Sequence, residues 1–275
     1  MSRLTGVFAK LKEQRKKALI PYVVAGDPSL SGSVEPLHQL VAAGADVLEV
    51  GVPFSDPMSE GLVIQLGHER ALANGMTLRG VLDIITDFRR DNTHTPVVMM
   101  GYANPIERFG YDAFAKASSV AGVDGLITVD LPPEEVGRLD HALIQVGIDN
   151  IFLIFPPTEK ERIETIVARA RGFIYYVAVK GVTGSGQLDV NEVGQRVGVI
   201  RGMTDLPVAV GFGIKDADTA SHVAQVADAV VVGSALIDEM VRKSRADASL
   251  EEIQIHEAAV QLLKRIRSGV DSSPS

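Results

Sequence analysis

One carboxylate in this sequence lies within an apolar run, where taking its charge out of water costs free energy. Glu49 lies near the end of the apolar run formed by residues 46–52. Desolvation makes an isolated carboxylate rare in such a run, so the group has either a satisfying partner or a raised pKa suited to proton transfer. No Lys or Arg lies nearby in sequence to form an internal salt bridge. Acid/base catalysis by Glu49 is therefore favoured over a structural role.

The loop after this run offers a second carboxylate. Residues 53–61 contain Asp56 and Glu60, and their prolines and glycine set an irregular path. Either carboxylate could complete an acid/base pair with Glu49. A solvated polar turn is the alternative, because loops are generally polar.

Three glycine-rich turns late in the chain suggest an anion site. Residues 181–186, 211–213 and 233–234 each follow a strand-like run. Glycine also serves ordinary turns, but the order of these three matches the barrel phosphate site, where backbone N–H groups and a helix N-terminus bind an anion. Ser234 would open that helix and add a hydroxyl. Because the net charge is −8, such local geometry must bind any phosphate.

Other potentially reactive residues give weaker evidence for a functional role. Lys180 ends a strand-like run and could form a Schiff base, as in class I aldolases, although an ion pair or a solvated head is favoured. The six histidines lack metal-ligand spacing, so no metal is expected. With no cysteine, the chain cannot form disulfides, thiolate metal sites or a cysteine nucleophile.

Eight short apolar runs must position these residues. Helical patterns lie between the runs, and the near-continuous apolar character is typical of parallel strands. Eight such units predict a (β/α)8 TIM barrel, whose chemistry lies at the C-terminal ends of the strands. A doubly wound sheet is disfavoured, because residues 25–28 lack its glycine fingerprint. The runs are residues 18–25, 46–50, 96–101, 125–129, 150–155, 173–179, 207–211 and 227–232.

Helix starts follow from capping patterns. Thr158 and Glu161 have the spacing of a capping box, and Asp189 with Glu192 predicts another helix start. The N-terminal segment has apolar residues at helical spacing and predicts an additional amphipathic helix.

We expect a single barrel domain over residues 1–267 and a disordered tail over residues 268–275. The N-terminus lacks the pattern of a secretory signal, and no apolar stretch is long enough to span a bilayer. A cytoplasmic location is the resulting expectation.

The sequence resembles the tryptophan synthase alpha subunit family along nearly its whole length. The segment LEVGVPFSDP at residues 48–57 is highly specific, and the other matching segments occur in the expected order. Those segments are residues 21–28, 102–104, 130–132, 181–184, 211–214 and 233–235.

The resemblance implies a lyase that cleaves indole-3-glycerol phosphate to indole and glyceraldehyde 3-phosphate without a cofactor. Glu49 matches the family's main acid/base residue. The family has an aspartate where this chain has Glu60, and a proline where it has Leu62. The extra methylene moves the carboxylate by roughly 1 Å, which can cost about a hundredfold in rate. Adjustment of the loop is the alternative.

The resemblance also implies the residues that bind substrate. The indole pocket would comprise Tyr22, Ile64, Met100, Ile127, Val129, Leu153, Tyr175 and Phe212. Gly184, Gly213, Gly233 and Ser234 would bind the phosphate. Thr183 matches a lid residue that reaches the second carboxylate when the site closes.

The implied partner is a β subunit that carries pyridoxal phosphate (PLP) and joins indole to serine in an α2β2 heterotetramer. Three readings stay open. The chain is the cleaving subunit of that complex, or a stand-alone lyase or class I aldolase, or a catalytically weak subunit that binds ligand and activates the β subunit.

Overall fold

The apolar runs form parallel strands that close into a barrel. The computed structural model describes residues 2–29, 34–178, 189–211, 213–247 and 252–273. Each strand pairs in parallel with the next one along the chain, and the last pairs with the first. The predicted TIM barrel is confirmed. The strands are β1 Ala18–Val24, β2 Leu48–Gly51, β3 Val97–Gly101, β4 Gly125–Thr128, β5 Asp149–Ile154, β6 Ile174–Val177, β7 Val208–Gly211 and β8 Ala229–Val232.

Helices cover the outside of this barrel. No helix within the described ranges combines the length and apolar character needed to cross a membrane. The described helices are α1 Arg3–Glu13, α2 Glu35–Ala42, α3 Leu62–Ala73, α4 Leu78–Asp91, α5 Ala103–Phe109, α6 Tyr111–Ala121, α7 Gly137–Val146, α8 Lys160–Val167, α9 Val190–Arg201, α10 Ala217–Val226, α11 Ser234–Ala246 and α12 Glu252–Asp271.

Helix α1 closes one end of the barrel. Its Leu4, Phe8 and Leu11 are buried in the cluster formed by the inward side chains of the strands. Ser2 caps this helix by accepting a hydrogen bond from the Thr5 N–H. The predicted N-terminal helix is thus confirmed, and it leaves the C-terminal ends of the strands as the open face.

An ionic cluster fastens α1 to the closed end. Asp124 is 5% exposed, accepts from Arg3 at 2.8 Å and Arg89 at 2.7 Å, and also accepts from the Val97 N–H at 2.8 Å. Each carboxylate oxygen therefore has a donor, as a buried charge requires.

Helix α8 starts differently from the prediction. Its N-cap is Glu159, which makes no side-chain capping bond. Thr158 lies one residue earlier, where its hydroxyl accepts from the Phe155 N–H at 3.2 Å. The Thr158–Glu161 capping box is therefore wrong, because the threonine stabilises the preceding turn instead. The Asp189 cap is confirmed, since its carboxylate accepts from the N–H groups of Asn191 and Glu192.

The C-terminal boundary also differs. Helix α12 continues to Asp271, and Val270 is 2% exposed. The apolar stripe that includes Ile266 thus extends one further turn into the core, with Gly269 close to α10. Disorder from residue 268 is therefore wrong for residues 268–271.

Candidate active site

Glu49 faces the barrel interior at the open end. It lies on β2 two residues after Val47, which belongs to the inward-facing cluster, so alternation along the strand points both side chains inward. Glu49 is 1% exposed, and its carboxylate oxygens have no hydrogen-bond partner among the described residues. Burial, and then the charge of Glu60, raises the pKa of Glu49 from its usual 4.5 to about 8. A carboxyl group of this kind is protonated at neutral pH.

Glu60 is the second acid of the site. The loop of residues 53–61, called the Glu60 loop below, brings this side chain close enough for its charge to act on Glu49. The Gln65 side chain donates to the Glu60 carbonyl at 2.8 Å, and burial raises the pKa of Glu60 to about 7. Asp56 is exposed and accepts from the Ser55 hydroxyl, so it does not serve as the partner of Glu49.

Two tyrosines fill space that glycines leave free. A side-chain carbon on Gly51 would lie 2.7 Å from the ring of Tyr22, and one on Gly211 would lie 2.7 Å from the ring of Tyr175. The rings can lie across β2 and β7 only because these positions lack a Cβ atom. Glu49 and Glu60 both raise the pKa of each tyrosine, after burial, so the two phenols are neutral neighbours of the acids.

Helix α3 and Tyr102 hold the Glu60 loop. His68 accepts from the Phe54 N–H at 3.1 Å, and Tyr102 accepts from the Ser59 N–H at 3.2 Å. The rings of Phe54 and Tyr102 stack at 5.1 Å. Sequence reasoning assigned no site role to either residue, since His68 looked like one more histidine in a helical pattern and Tyr102 appeared only within the matching segment 102–104.

The predicted pocket residues come from several strands. Met100, Leu153 and Tyr175 pack on the interior cluster that contains Ile127. Tyr22 faces Glu49 across the paired strands β1 and β2. The remaining two described positions lie off the strands: Ile64 is half-buried on α3, and Val129 follows β4.

The described part of the predicted phosphate site is a helix start. Ser234 is the first residue of α11 and is exposed, and Gly233 precedes it without a capping side chain. The first N–H groups of a helix have no partner inside the helix and favour an anion. Gly213 has a φ of +79°, a conformation that glycine adopts readily. Four predicted positions lie outside the described residues: Lys180, Thr183, Gly184 and Phe212.

A metal site was also sought among the described residues. Within the described ranges, no group of three or more His, Asp or Glu side chains is placed to hold a metal ion. The chemistry available from these residues is proton transfer by one buried and one half-buried carboxyl group, both of raised pKa, next to an apolar pocket.

Comparison with known sequences points to one family. Residues 8–266 match a family described as the tryptophan synthase alpha chain. A relative with that name from Marinobacter nauticus is 49% identical over 272 residues, covering 99% of both chains. Another from Nitrosococcus oceani is 50% identical over 274 residues, again with 99% coverage of both.

Solved structures agree with the sequence comparison. Tryptophan synthase subunit alpha from Legionella pneumophila superposes with a TM-score of 0.90 at 42% identity, covering 98% of this chain and 99% of that one. A chain of tryptophan synthase from M. tuberculosis, in its aminoacrylate-bound form, gives a TM-score of 0.86 at 33% identity, covering 98% and 100%.

Proposed function

The chain belongs to the tryptophan synthase alpha chain family and is a lyase that cleaves indole-3-glycerol phosphate, and we propose that Glu49 and Glu60 carry out this cleavage. The products are indole and glyceraldehyde 3-phosphate. The observation that carries the assignment of roles is the Glu49 carboxyl group, buried at the open end of the barrel without a hydrogen-bond partner among the described residues.

Glu49 moves two protons in turn. Its protonated carboxyl group gives a proton to indole C3, which becomes tetrahedral. The resulting carboxylate then takes the proton of the glycerol hydroxyl next to the scissile bond, while that carbon–carbon bond breaks and its electrons return to the ring. The aldehyde and indole leave, and Glu49 is protonated again. A pKa near 8 suits both transfers at neutral pH.

Glu60 acts on the other side of the ring. Protonation of C3 makes the indole cationic, and an ionised carboxylate near the ring N–H stabilises that charge. The pKa of about 7 leaves Glu60 partly ionised at neutral pH while Glu49 keeps its proton. The two environments thus support an acid and a base in one site.

The remaining site residues bind the substrate. The apolar side chains Met100, Ile127 and Leu153 suit the flat indole ring, and the start of α11 at Ser234 suits the phosphate. The full proposed set comprises Tyr22, Ile64, Met100, Ile127, Val129, Leu153, Tyr175, Thr183, Gly184, Phe212, Gly213, Gly233 and Ser234. Of these, Thr183, Gly184 and Phe212 rest on the resemblance alone.

Family membership implies a β-subunit partner. We propose that the assembly is an α2β2 heterotetramer in which the β chain carries PLP and consumes the indole. Residues near Asn104 and Pro132 and the Glu60 loop match the family's contact regions. Met58 in that loop is 81% exposed and Leu62 beside it is 69% exposed, which supports a docked partner over this face.

Two substitutions test the roles of the acids. Glu49→Gln should abolish indole release from indole-3-glycerol phosphate, because the amide cannot donate and recover a proton. Glu60→Asp should retain release, because the carboxylate is preserved. Full cleavage by the Glu49→Gln chain would refute the assignment.

Measuring indole release with and without the β subunit separates the other readings. Strong release by the chain alone supports a stand-alone lyase, and no release in either condition supports a ligand-binding, activating role. Borohydride trapping of substrate on Lys180 would instead indicate an aldolase-type Schiff base.

A further inference from the structure

His68 connects the Glu60 loop to the barrel interior. Its ring, on α3, is 2% exposed. The Phe54 N–H donates to Nδ1 over 3.1 Å, and Nε2 lies 3.2 Å from the Tyr22 Oη. One side chain therefore contacts both the start of the loop that carries Glu60 and an inward-facing phenol.

The two contacts decide which ring nitrogen of His68 carries the proton. A neutral imidazole has one donor nitrogen and one acceptor nitrogen. Because Nδ1 accepts from Phe54, the proton is on Nε2, and Nε2–H donates to the Tyr22 oxygen. Burial lowers the pKa of His68 to about 4, so the ring keeps this neutral form at neutral pH.

The Tyr22 hydroxyl is left with its own proton to donate. Its oxygen accepts from His68, and a phenol has a single O–H group. The strand register pairs Tyr22 with Glu49, whose carboxylate oxygens have no partner among the described residues. A hydroxyl with a proton to donate thus lies on the strand beside a carboxylate that can accept it, and the two are not hydrogen-bonded to each other in this structure.

Within the part of the chain that the structure describes, the other titratable groups that act on this pair are acids. Those that act on Tyr22 or Glu49 are Glu60 in the loop after β2, Tyr102 after β3, and Tyr175 on β6. None of these described groups carries a positive charge, so among the described residues an ionised Glu49 has only neutral donors, such as the Tyr22 hydroxyl, to stabilise it.

We propose that His68 is a positioning residue that directs the Tyr22 hydroxyl towards the Glu49 carboxylate. The hydroxyl stabilises that carboxylate in the interval after Glu49 has given its proton to indole C3 and before it takes the second proton. The inference rests on the proposed function, in which Glu49 is the acid.

The test is the pH dependence of kcat/KM for indole release, measured on the full chain with its β subunit. Activity falls at high pH as Glu49 loses its proton. Removing a donor to the carboxylate makes ionisation harder, so Tyr22→Phe should move this alkaline limb upward by about one pH unit. His68→Asn retains an acceptor near Phe54 but is too short to reach Tyr22, and should move the limb in the same direction.

The double variant and a rescue separate positioning from a general structural effect. His68→Asn combined with Tyr22→Phe should move the limb no further than Tyr22→Phe alone, because both remove the same interaction. His68→Gln can still donate to Tyr22 and should restore the wild-type limb. His222→Leu, an exposed histidine on α10, is the matched control and should change nothing.

An unmoved limb in Tyr22→Phe, or shifts that add in the double variant, would overturn the inference. If His68→Asn does not fold, the other two variants decide the question. The inference then requires that the alkaline limb moves in Tyr22→Phe and stays at the wild-type position in His68→Gln. Glu49→Gln, measured in the same assay, distinguishes a failure of the proposed function from a failure of the proposed role of His68. If it keeps cleaving, the proposed function fails; if it is inactive while Tyr22→Phe leaves the limb in place, only the role of His68 fails.

Discussion

Replacing Glu49 by glutamine should stabilise the protein more as the pH rises. The folded state raises the pKa of Glu49 from 4.5 to about 8, which corresponds to about 5 kcal/mol in favour of the protonated form. Because the folded pKa lies above the unfolded one, this stabilisation is complete below pH 4.5 and is lost as the pH rises through 8. Glutamine does not titrate, so the variant does not lose stability in this way as the pH rises.

The assay is denaturant unfolding of wild type and Glu49→Gln at several pH values. Between pH 5 and pH 8 the difference in unfolding free energy should change by about 3.5 kcal/mol in favour of the variant. The matched control is Glu69→Gln, an exposed glutamate on α3, whose difference from wild type should stay constant. If the difference in unfolding free energy between Glu49→Gln and wild type is also constant from pH 5 to pH 8, the reasoning is refuted.

Three further perturbations have definite outcomes. The pH profile of kcat/KM should be bell-shaped, with apparent pKa values near 7 and 8 that belong to the coupled Glu49 and Glu60 pair. Glu60→Gln should move the alkaline limb of this profile to lower pH, because it removes the charge that raises the pKa of Glu49. Gly211→Ala should lower kcat/KM at least about tenfold by displacing the Tyr175 ring, as steady-state kinetics will show. Asp124→Asn should lower the unfolding free energy by about 3 kcal/mol, because it breaks a buried ion pair.

Each of the last two changes has a control elsewhere in the chain. Gly6 lies within α1 with nothing near its Cβ position, so Gly6→Ala should leave kcat/KM unchanged and add about 0.5–1 kcal/mol of stability. Asp87→Asn breaks an exposed ion pair and should cost less than about 0.5 kcal/mol. If Gly211→Ala and Gly6→Ala changed kcat/KM equally, the packing argument would be contradicted. If Asp124→Asn and Asp87→Asn lowered the unfolding free energy equally, the ion-pair argument would be contradicted.

The barrel and Glu49 could be predicted from the sequence for one physical reason. Parallel barrel strands are buried on both faces, so they appear as apolar runs, and a carboxylate inside such a run is conspicuous. The same reasoning identified the end of the barrel where Glu49 would lie.

The parts that sequence reasoning missed depend on contacts between distant segments. The space for the Tyr175 ring is provided by Gly211, on a different strand. His68 has ordinary neighbours in sequence, and its importance appears only when α3 packs against β1 and brings it to Tyr22. Strand register and helix packing set such contacts, and local composition does not record them.

Both boundary errors came from treating local patterns as decisive. Thr158 has the spacing of a helix cap, but its hydroxyl stabilises the turn before α8. The serine-rich end of the chain has the composition of a tail, yet Val270 packs into the core and carries α12 to Asp271. In each case a tertiary or turn interaction outweighed the local preference.

The most direct test of the central claim is to observe the proton on Glu49. With 13C-labelled glutamate, the carboxyl signal that disappears in Glu49→Gln can be followed by NMR as the pH is raised. We expect this signal to titrate with a midpoint near 8, so that the group is protonated at neutral pH and able to protonate indole C3. A midpoint close to the usual 4.5 would show that Glu49 is ionised at neutral pH and would contradict the account.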